Sequence, residues 1–412
     1  MLDALQKVGG RIKVNPPGVY APIPGRRAGR LAYLPVEVAS RELASKANLA
    51  GDLVRRGFKV VLGATWNIAC NGFTDLPPGI LLFKTLNALD AEKMRMAQEA
   101  GHLTAVLNEE FFPLRLRAEW YRTECNDNAL RLTDLLCAHG EPSAKILRTL
   151  TDARVEITGN PRTELPKLER GRDILVCTMA GTVNSALPFQ DNLAMICKAF
   201  AKPLVGDLLE LLQQQVIHEW TNLALTLETV QKLSACFPDR RIVLRPHPVE
   251  NRTIYGAGGN VVMDTASAFM DSLKQAAVLV FISGCSTGVE SFLSGIPGVR
   301  LGEGGHGISC DLHMGASTAD DAVAAVAAQL ESPKIIGDLS EHFAPVALAE
   351  KLNAFQKENA APLESPDIEE YWRRGKNRVV PQEFTLRKFP NTDADEIARL
   401  TGASVKTLGW NT

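Results

Sequence analysis

The stretch GRLAYLPVEVASRELASKANLAGDLVRRGFKVVLG, residues 29–63, decides the fold class. Gly29-Arg30-Leu31-Ala32-Tyr33-Leu34-Pro35 reads as a short strand ending in a turn. From Val36 to Arg56 the apolar residues Ala39, Leu43, Ala47, Ala50 and Val54 recur at helical spacing, and Gly57 stands where a helix C-cap favours glycine. Phe58–Gly63 is the next strand. Two consecutive strands joined through a helix pair in parallel, because only a crossover of that length returns the chain to the same end of the sheet. The pattern predicts an α/β fold.

The same rhythm extends outward. Strands are expected at 79–84, 102–107 and 154–158, with a helix at 91–100 and helical patterns at 126–139 and 143–149. A second series begins with a strand at 173–178, followed by a long helix from about 208 to 237 and strands at 241–244, 261–263, 278–282 and 298–301. Helices are expected at 286–294 and 319–330. Two such series in 412 residues predict two Rossmann-like, doubly wound domains. The expected division is an irregular lead-in at 1–28, an N-terminal domain at 29–165, a C-terminal domain at 166–345 and a helical tail at 346–412. In open α/β sheets ligands bind beyond the carboxyl ends of the strands, and the polar motifs of this chain follow its strands.

A formal net charge of −2 gives no bulk reason to expect nucleic acid as a partner. None of the eight cysteines forms a CxxC pair, and most lie in apolar runs, which reads as buried thiols in a reducing compartment. The first twenty residues lack an apolar signal core and no run approaches membrane-spanning length, so a cytoplasmic protein is expected, peripheral at the inner membrane if it handles lipid-linked material. Tyr371-Trp372-Arg373-Arg374 and Lys388-Phe389-Pro390 in the tail are an aromatic-basic mixture of the kind that touches membrane surfaces.

Two motifs carry chemistry. Arg245-Pro246-His247-Pro248-Val249-Glu250-Asn251 follows a strand, and its two prolines hold His247 in one geometry. A fixed imidazole can donate to a phosphate oxygen or protonate a leaving group, and Arg245 can add a charge-assisted contact. Ser283-Gly284-Cys285-Ser286-Thr287-Gly288-Val289-Glu290 follows the next buried strand. Ser286 or Thr287 is expected to cap the following helix, whose N-terminal N–H groups and dipole make a phosphate site. Gly284 and Gly288 would allow close approach, and Glu290 would accept from a ribose diol.

With Leu34-Pro35-Val36-Glu37-Val38-Ala39-Ser40-Arg41-Glu42, Gly159-Asn160-Pro161-Arg162 and Gly181-Thr182-Val183-Asn184-Ser185, these stretches resemble the bacterial surface-carbohydrate biosynthesis proteins of GT-B fold. That group includes the retaining CMP-Kdo-dependent β-Kdo glycosyltransferases of capsule and lipopolysaccharide assembly. The resemblance implies two Rossmann-like domains facing a central cleft, with the tail packing back. It implies a CMP-activated donor sugar, Kdo or a related ulosonic acid, and a glycan or glycolipid acceptor. By the same resemblance His247, Ser286 and Thr287 contact the CMP phosphate and Glu290 the ribose or base, with Arg245 and Gly288 beside them.

Retaining members use a carboxylate nucleophile. The strand-end carboxylates are Glu37, Glu42, Glu109, Glu110, Glu164, Asp191 and Asp207. Glu37 ranks first, and Asp191 follows the loop in which a related branch carries an aspartate and this chain has Asn184 and Ser185. The expected catalytic set is therefore Glu37, His247 and Asp191. Arg41, Lys84 and Asn184 are the expected substrate-binding residues, Arg41 and Lys84 for a sugar carboxylate or an acceptor phosphate. No cofactor and no metal are expected, since the one Asp-x-Asp, Asp393-Ala394-Asp395, lies in the tail. A sugar-nucleotide epimerase or hydrolase, and a non-catalytic sugar-nucleotide-binding partner, share the same parts.

Overall fold

The structure is a computed structural model that describes residues 18–109, 125–201, 204–264, 268–282, 284–302, 307–361, 398, 399, 401 and 402. They form two compact units: one contains Leu165–Leu339, the other the described residues before and after that span.

The N-terminal unit runs β1 (Leu31–Val36), α1 (Ala39–Arg55), β2 (Lys59–Ala64), α2 (Thr65–Ile68), β3 (Ile80–Phe83), α3 (Ala88–Glu99), β4 (Leu103–Leu107), α4 (Asp127–Arg131), β5 (Leu135–Ala138), α5 (Glu141–Leu150) and β6 (Arg154–Ile157). Its six strands are all parallel, in the order β2-β1-β3-β4-β5-β6. The opening stretch explains the first unit of this pattern. Ala39, Leu43, Ala47, Ala50 and Leu53 are buried, and Gly57 reverses the chain into β2 at φ +83°, a left-handed value that favours glycine. The strand order reverses between β1 and β3, which places a crevice beyond Val36 and Phe83.

The C-terminal unit runs β7 (Asp173–Cys177), α6 (Phe189–Phe200), α7 (Gly206–Cys236), β8 (Ile242–Arg245), β9 (Val261–Met263), α8 (Phe269–Gln275), β10 (Ala276–Ile282), α9 (Ser286–Ser294), β11 (Gly298–Leu301), β12 (Met314–Ala316) and α10 (Ala319–Glu331). Its order, β9-β8-β7-β10-β11-β12, is that of a dinucleotide-binding Rossmann sheet, with the reversal between β7 and β10. Ile174, Val176, Ile242, Leu244, Val278 and Val280 fill one face of this sheet. The chain then returns: α11 (Leu348–Glu358) inserts Leu348, Leu352 and Phe355 into the N-terminal core beside Leu34, Leu53 and Leu82.

The expected helix over 126–139 is two elements. Asn126 caps α4 by accepting from the N–H groups of Asn128 and Ala129, the helix stops at Arg131, and Leu135-Leu136-Cys137-Ala138 is the buried strand β5. A four-residue apolar run does not reveal its own period, so adjacency to a real helix extended the helical reading. Helices α6 and α8 and strand β12 were not expected. Residues 371–374, 388–390 and 393–395 lie outside the described residues. Among the described residues no helix is long and apolar enough to cross a membrane.

Candidate functional site

At the reversal point of the C-terminal sheet the chain leaves β7, β8 and β10 in three loops. The loop after β7 is held by two buried carboxylates. Glu250 accepts from the Thr178 hydroxyl at 2.5 Å, from the Ala180 N–H at 2.6 Å and from the Tyr255 hydroxyl. Glu219 of α7 accepts from the Thr182 N–H at 2.7 Å, the Thr182 hydroxyl at 2.8 Å and the Val183 N–H at 3.1 Å. Burial pushes Glu250 above the ordinary carboxylate range, and the Thr178, Tyr255 and Ala180 donors oppose that push. Glu250 thus ties the loop after β7 to the turn after β8.

That turn carries His247. Its backbone N–H donates to the Thr178 hydroxyl at 3.2 Å, so one threonine links Glu250 and His247. The side chain of Arg245 is engaged by Asp264 at 2.8 Å and Ser272 at 3.0 Å. Asn184 is buried, and its amide donates to the Asn251 carbonyl at 2.9 Å while the Asn251 N–H returns a bond of 2.7 Å to the Asn184 carbonyl. The expected substrate ligand is therefore a brace between two loops. Asp191 is exposed in the first turn of α6.

Helix α9 starts where the sequence places it, but its cap differs from expectation. Cys285 is the N-cap residue and makes no side-chain cap bond, while the Thr287 hydroxyl contacts the Cys285 sulfur at 3.0 Å. Gly284 takes φ +87° to make the turn. Ser286 and Thr287 are half-exposed at the helix start, where the first N–H groups of a helix lack intrahelical partners. Gly288 does not serve close approach of a ligand. A methyl group there would meet the Phe281 ring at 2.4 Å and Ser309 at 2.8 Å, so this glycine lets α9 lie against β10. Buried His313 braces the same turn, its Nε2 bonding the Gly288 carbonyl at 2.7 Å. Glu290 is half-exposed one turn into the helix.

The reversal point of the N-terminal sheet holds a second constellation. Lys84 sits 2.5 Å from Glu37 and 3.2 Å from Glu42. Behind them Lys46 lies 3.0 Å from Glu42 and 3.7 Å from Glu109, and donates to the Pro35 carbonyl at 2.5 Å. Burial raises the Glu42 carboxyl, but Lys46, Lys84 and the Glu37 N–H outweigh it and hold Glu42 at about 2. A cavity of about 450 Å³ opens beside this network, lined by Glu37, Lys84, Trp66, Phe73, Asp90 and Lys93 among others. Arg41 is half-exposed on the first turn of α1 and does not line it.

The structure thus places the His247 turn after β8 and Ser286, Thr287 and Glu290 on the first turns of α9 after β10, the two strands that flank β7, and brings Glu37 and Lys84 together at the N-terminal reversal point. Glu110 and the Asp207 side chain lie outside the described residues. Sequence reasoning missed Thr178, Glu219 and Lys46. Glu219 had a signal, since it falls on the apolar stripe of Leu212, Val216 and Leu223 in α7. Lys46 likewise falls among Leu43, Ala47 and Ala50. Among the described residues no three His, Cys, Asp or Glu side chains converge as a metal-binding set.

No family model and no curated protein matches this chain. Solved structures do resemble it in backbone course. A Listeria monocytogenes protein described as a UDP-N-acetylglucosamine 2-epimerase shares 11% identity over 82% of this chain and 97% of its own, with a TM-score of 0.48. S. aureus MnaA, in a structure with UDP, shares 12% over 82% and 98%, with a TM-score of 0.47. MurG of Acinetobacter baumannii shares 8% over 79% and 99%, with a TM-score of 0.38.

Proposed function

We propose that this chain is a nucleotide-sugar-dependent glycosyltransferase of the GT-B type, with the donor nucleotide held on the C-terminal unit. The observation that supports this best is that a helix start bearing Ser286 and Thr287 and a His247 turn fixed through Thr178 and Glu250 follow β10 and β8, the two strands that flank β7 at the carboxyl edge of one sheet. In this reading the α9 N-terminus and the two hydroxyls bind the phosphate, and His247 neutralises charge as the bond from phosphate to the anomeric carbon breaks. Glu290 takes the ribose. Glu37 and Asp191 are the carboxylates proposed for the sugar chemistry.

The finer reading is a CMP-activated ulosonic acid such as Kdo, moved onto a surface-polysaccharide precursor. It rests on the motif resemblance alone. Titrating the protein with CMP and with UDP by calorimetry tests it. Tighter binding of CMP is expected, and preference for UDP would remove the CMP donor. Substituting His247→Ala should cut turnover by about 10²-fold or more if the imidazole assists the leaving group. Mass spectrometry of a donor incubation without acceptor separates this reading from an epimerase or hydrolase, which needs none.

A further inference from the structure

We infer that the cavity of the N-terminal unit takes a neutral, hydroxyl-rich ring: a saccharide unit bearing neither carboxylate nor phosphate. The inference rests on the transferase reading only in naming that ring the acceptor. Its volume, about 450 Å³, lies in the range of small-molecule sites.

One part of the wall is apolar and aromatic, from Trp66, Phe73, Leu82 and Phe83. Trp66 is half-buried and anchored by packing against the Val36, Ala39, Leu43 and Ala64 cluster. An aromatic wall of this kind matches the C–H face of a pyranose. The polar part is charged yet internally matched. Lys84 has Glu37 at 2.5 Å and Glu42 at 3.2 Å, and Lys93 has Asp90 at 2.7 Å. Lys46, behind the wall, has Glu42 at 3.0 Å and Glu109 at 3.7 Å.

Among the described residues, the lining pairs two carboxylates with two ammonium groups, and Glu42, Glu109 and Lys46 behind it bring the network to four carboxylates against three ammonium groups, so an entering anion meets no unmatched positive charge. A sugar hydroxyl needs none. It can donate to Glu37 or Asp90 and accept from Lys84 or Lys93 without breaking charge balance. This reverses the sequence expectation for Lys84: the ammonium is already neutralised, so it orients a hydroxyl rather than binding a carboxylate or phosphate.

Saturation-transfer NMR and calorimetry on the full chain test this with methyl β-glucoside, methyl N-acetylglucosaminide, methyl glucuronide and glucose 6-phosphate, no nucleotide present. At least one neutral glycoside should bind, and the two anions should bind about tenfold more weakly or not at all. Trp66→Ala should abolish glycoside binding, Trp66→Phe should retain it, and both should leave nucleotide affinity unchanged. Glu37→Gln leaves Lys84 with less neutralising charge and should raise glucuronide affinity about tenfold against the neutral glycoside. Equal or tighter binding of the anions, or no binding of either neutral glycoside, overturns the inference. Nucleotide binding without glycoside binding defeats this inference alone. Glycoside binding without nucleotide binding defeats the donor-site reading and leaves this one standing.

Discussion

Glu250 shows how much a single side chain in a turn can organise. The sequence displays it inside the Arg-Pro-His-Pro motif but gives no sign that it is buried, because a turn has no period to read. In the structure its two oxygens receive three donors, from Thr178, Ala180 and Tyr255. Replacing Glu250 by Gln would turn one acceptor oxygen into a donor facing donors. Loss of such buried bonds costs about 1–3 kcal/mol. We expect Glu250→Gln to lower the urea midpoint accordingly and to weaken nucleotide binding, since the His247 backbone is held by the same Thr178 hydroxyl. Unchanged affinity in a destabilised variant would show that the His247 turn does not need this strut.

Helix α9 is the element on which the proposed phosphate site stands. Ser-Thr-Gly after a buried strand was readable as a helix start, and the helix is there. What the sequence did not reveal is the work of each residue, since a glycine in a motif looks the same whether it faces ligand or core. Gly288 faces Phe281 and Ser309, so Gly288→Ala overpacks the seam between α9 and β10. Overpacking of this kind costs about 1–3 kcal/mol. It also pushes the first turn of α9 away from the β7–β10 reversal point. Calorimetry should find nucleotide affinity reduced together with stability. A variant as stable as the parent would mean that Phe281 gives way freely.

At the scale of the whole molecule, the repeating strand–helix pattern made both parallel sheets legible, because each buried strand and each amphipathic helix announces itself within a few residues. The return of the chain to the N-terminal core did not show, since Leu348, Leu352 and Phe355 could pack on any apolar face. The two units also differ in how they should respond to acid. His102 and His139 in the N-terminal unit and His313 in the C-terminal unit are each pushed down to about 4, first by burial and against the carbonyl bonds they make. Unfolding lets each imidazole take up a proton near its ordinary value of 6.5, so stability falls as pH drops from about 6.5 to 4. The slope is at most about 1.4 kcal/mol per pH unit for each imidazole. Burial raises Glu164 in the first unit and Glu250 in the second, and a raised carboxyl has the opposite sign, since the folded state then holds the extra proton. Each unit has one such raised carboxyl, so the second buried imidazole leaves the N-terminal unit the more acid-labile, and Glu42, held low by Lys46 and Lys84, adds to this at still lower pH. Hydrogen exchange in urea at pH 7 and pH 5 should therefore show peptides of β1–β6 losing protection more than those of β7–β12. Equal loss in both units, or greater loss in the second, would contradict neutral, buried imidazoles at His102 and His139.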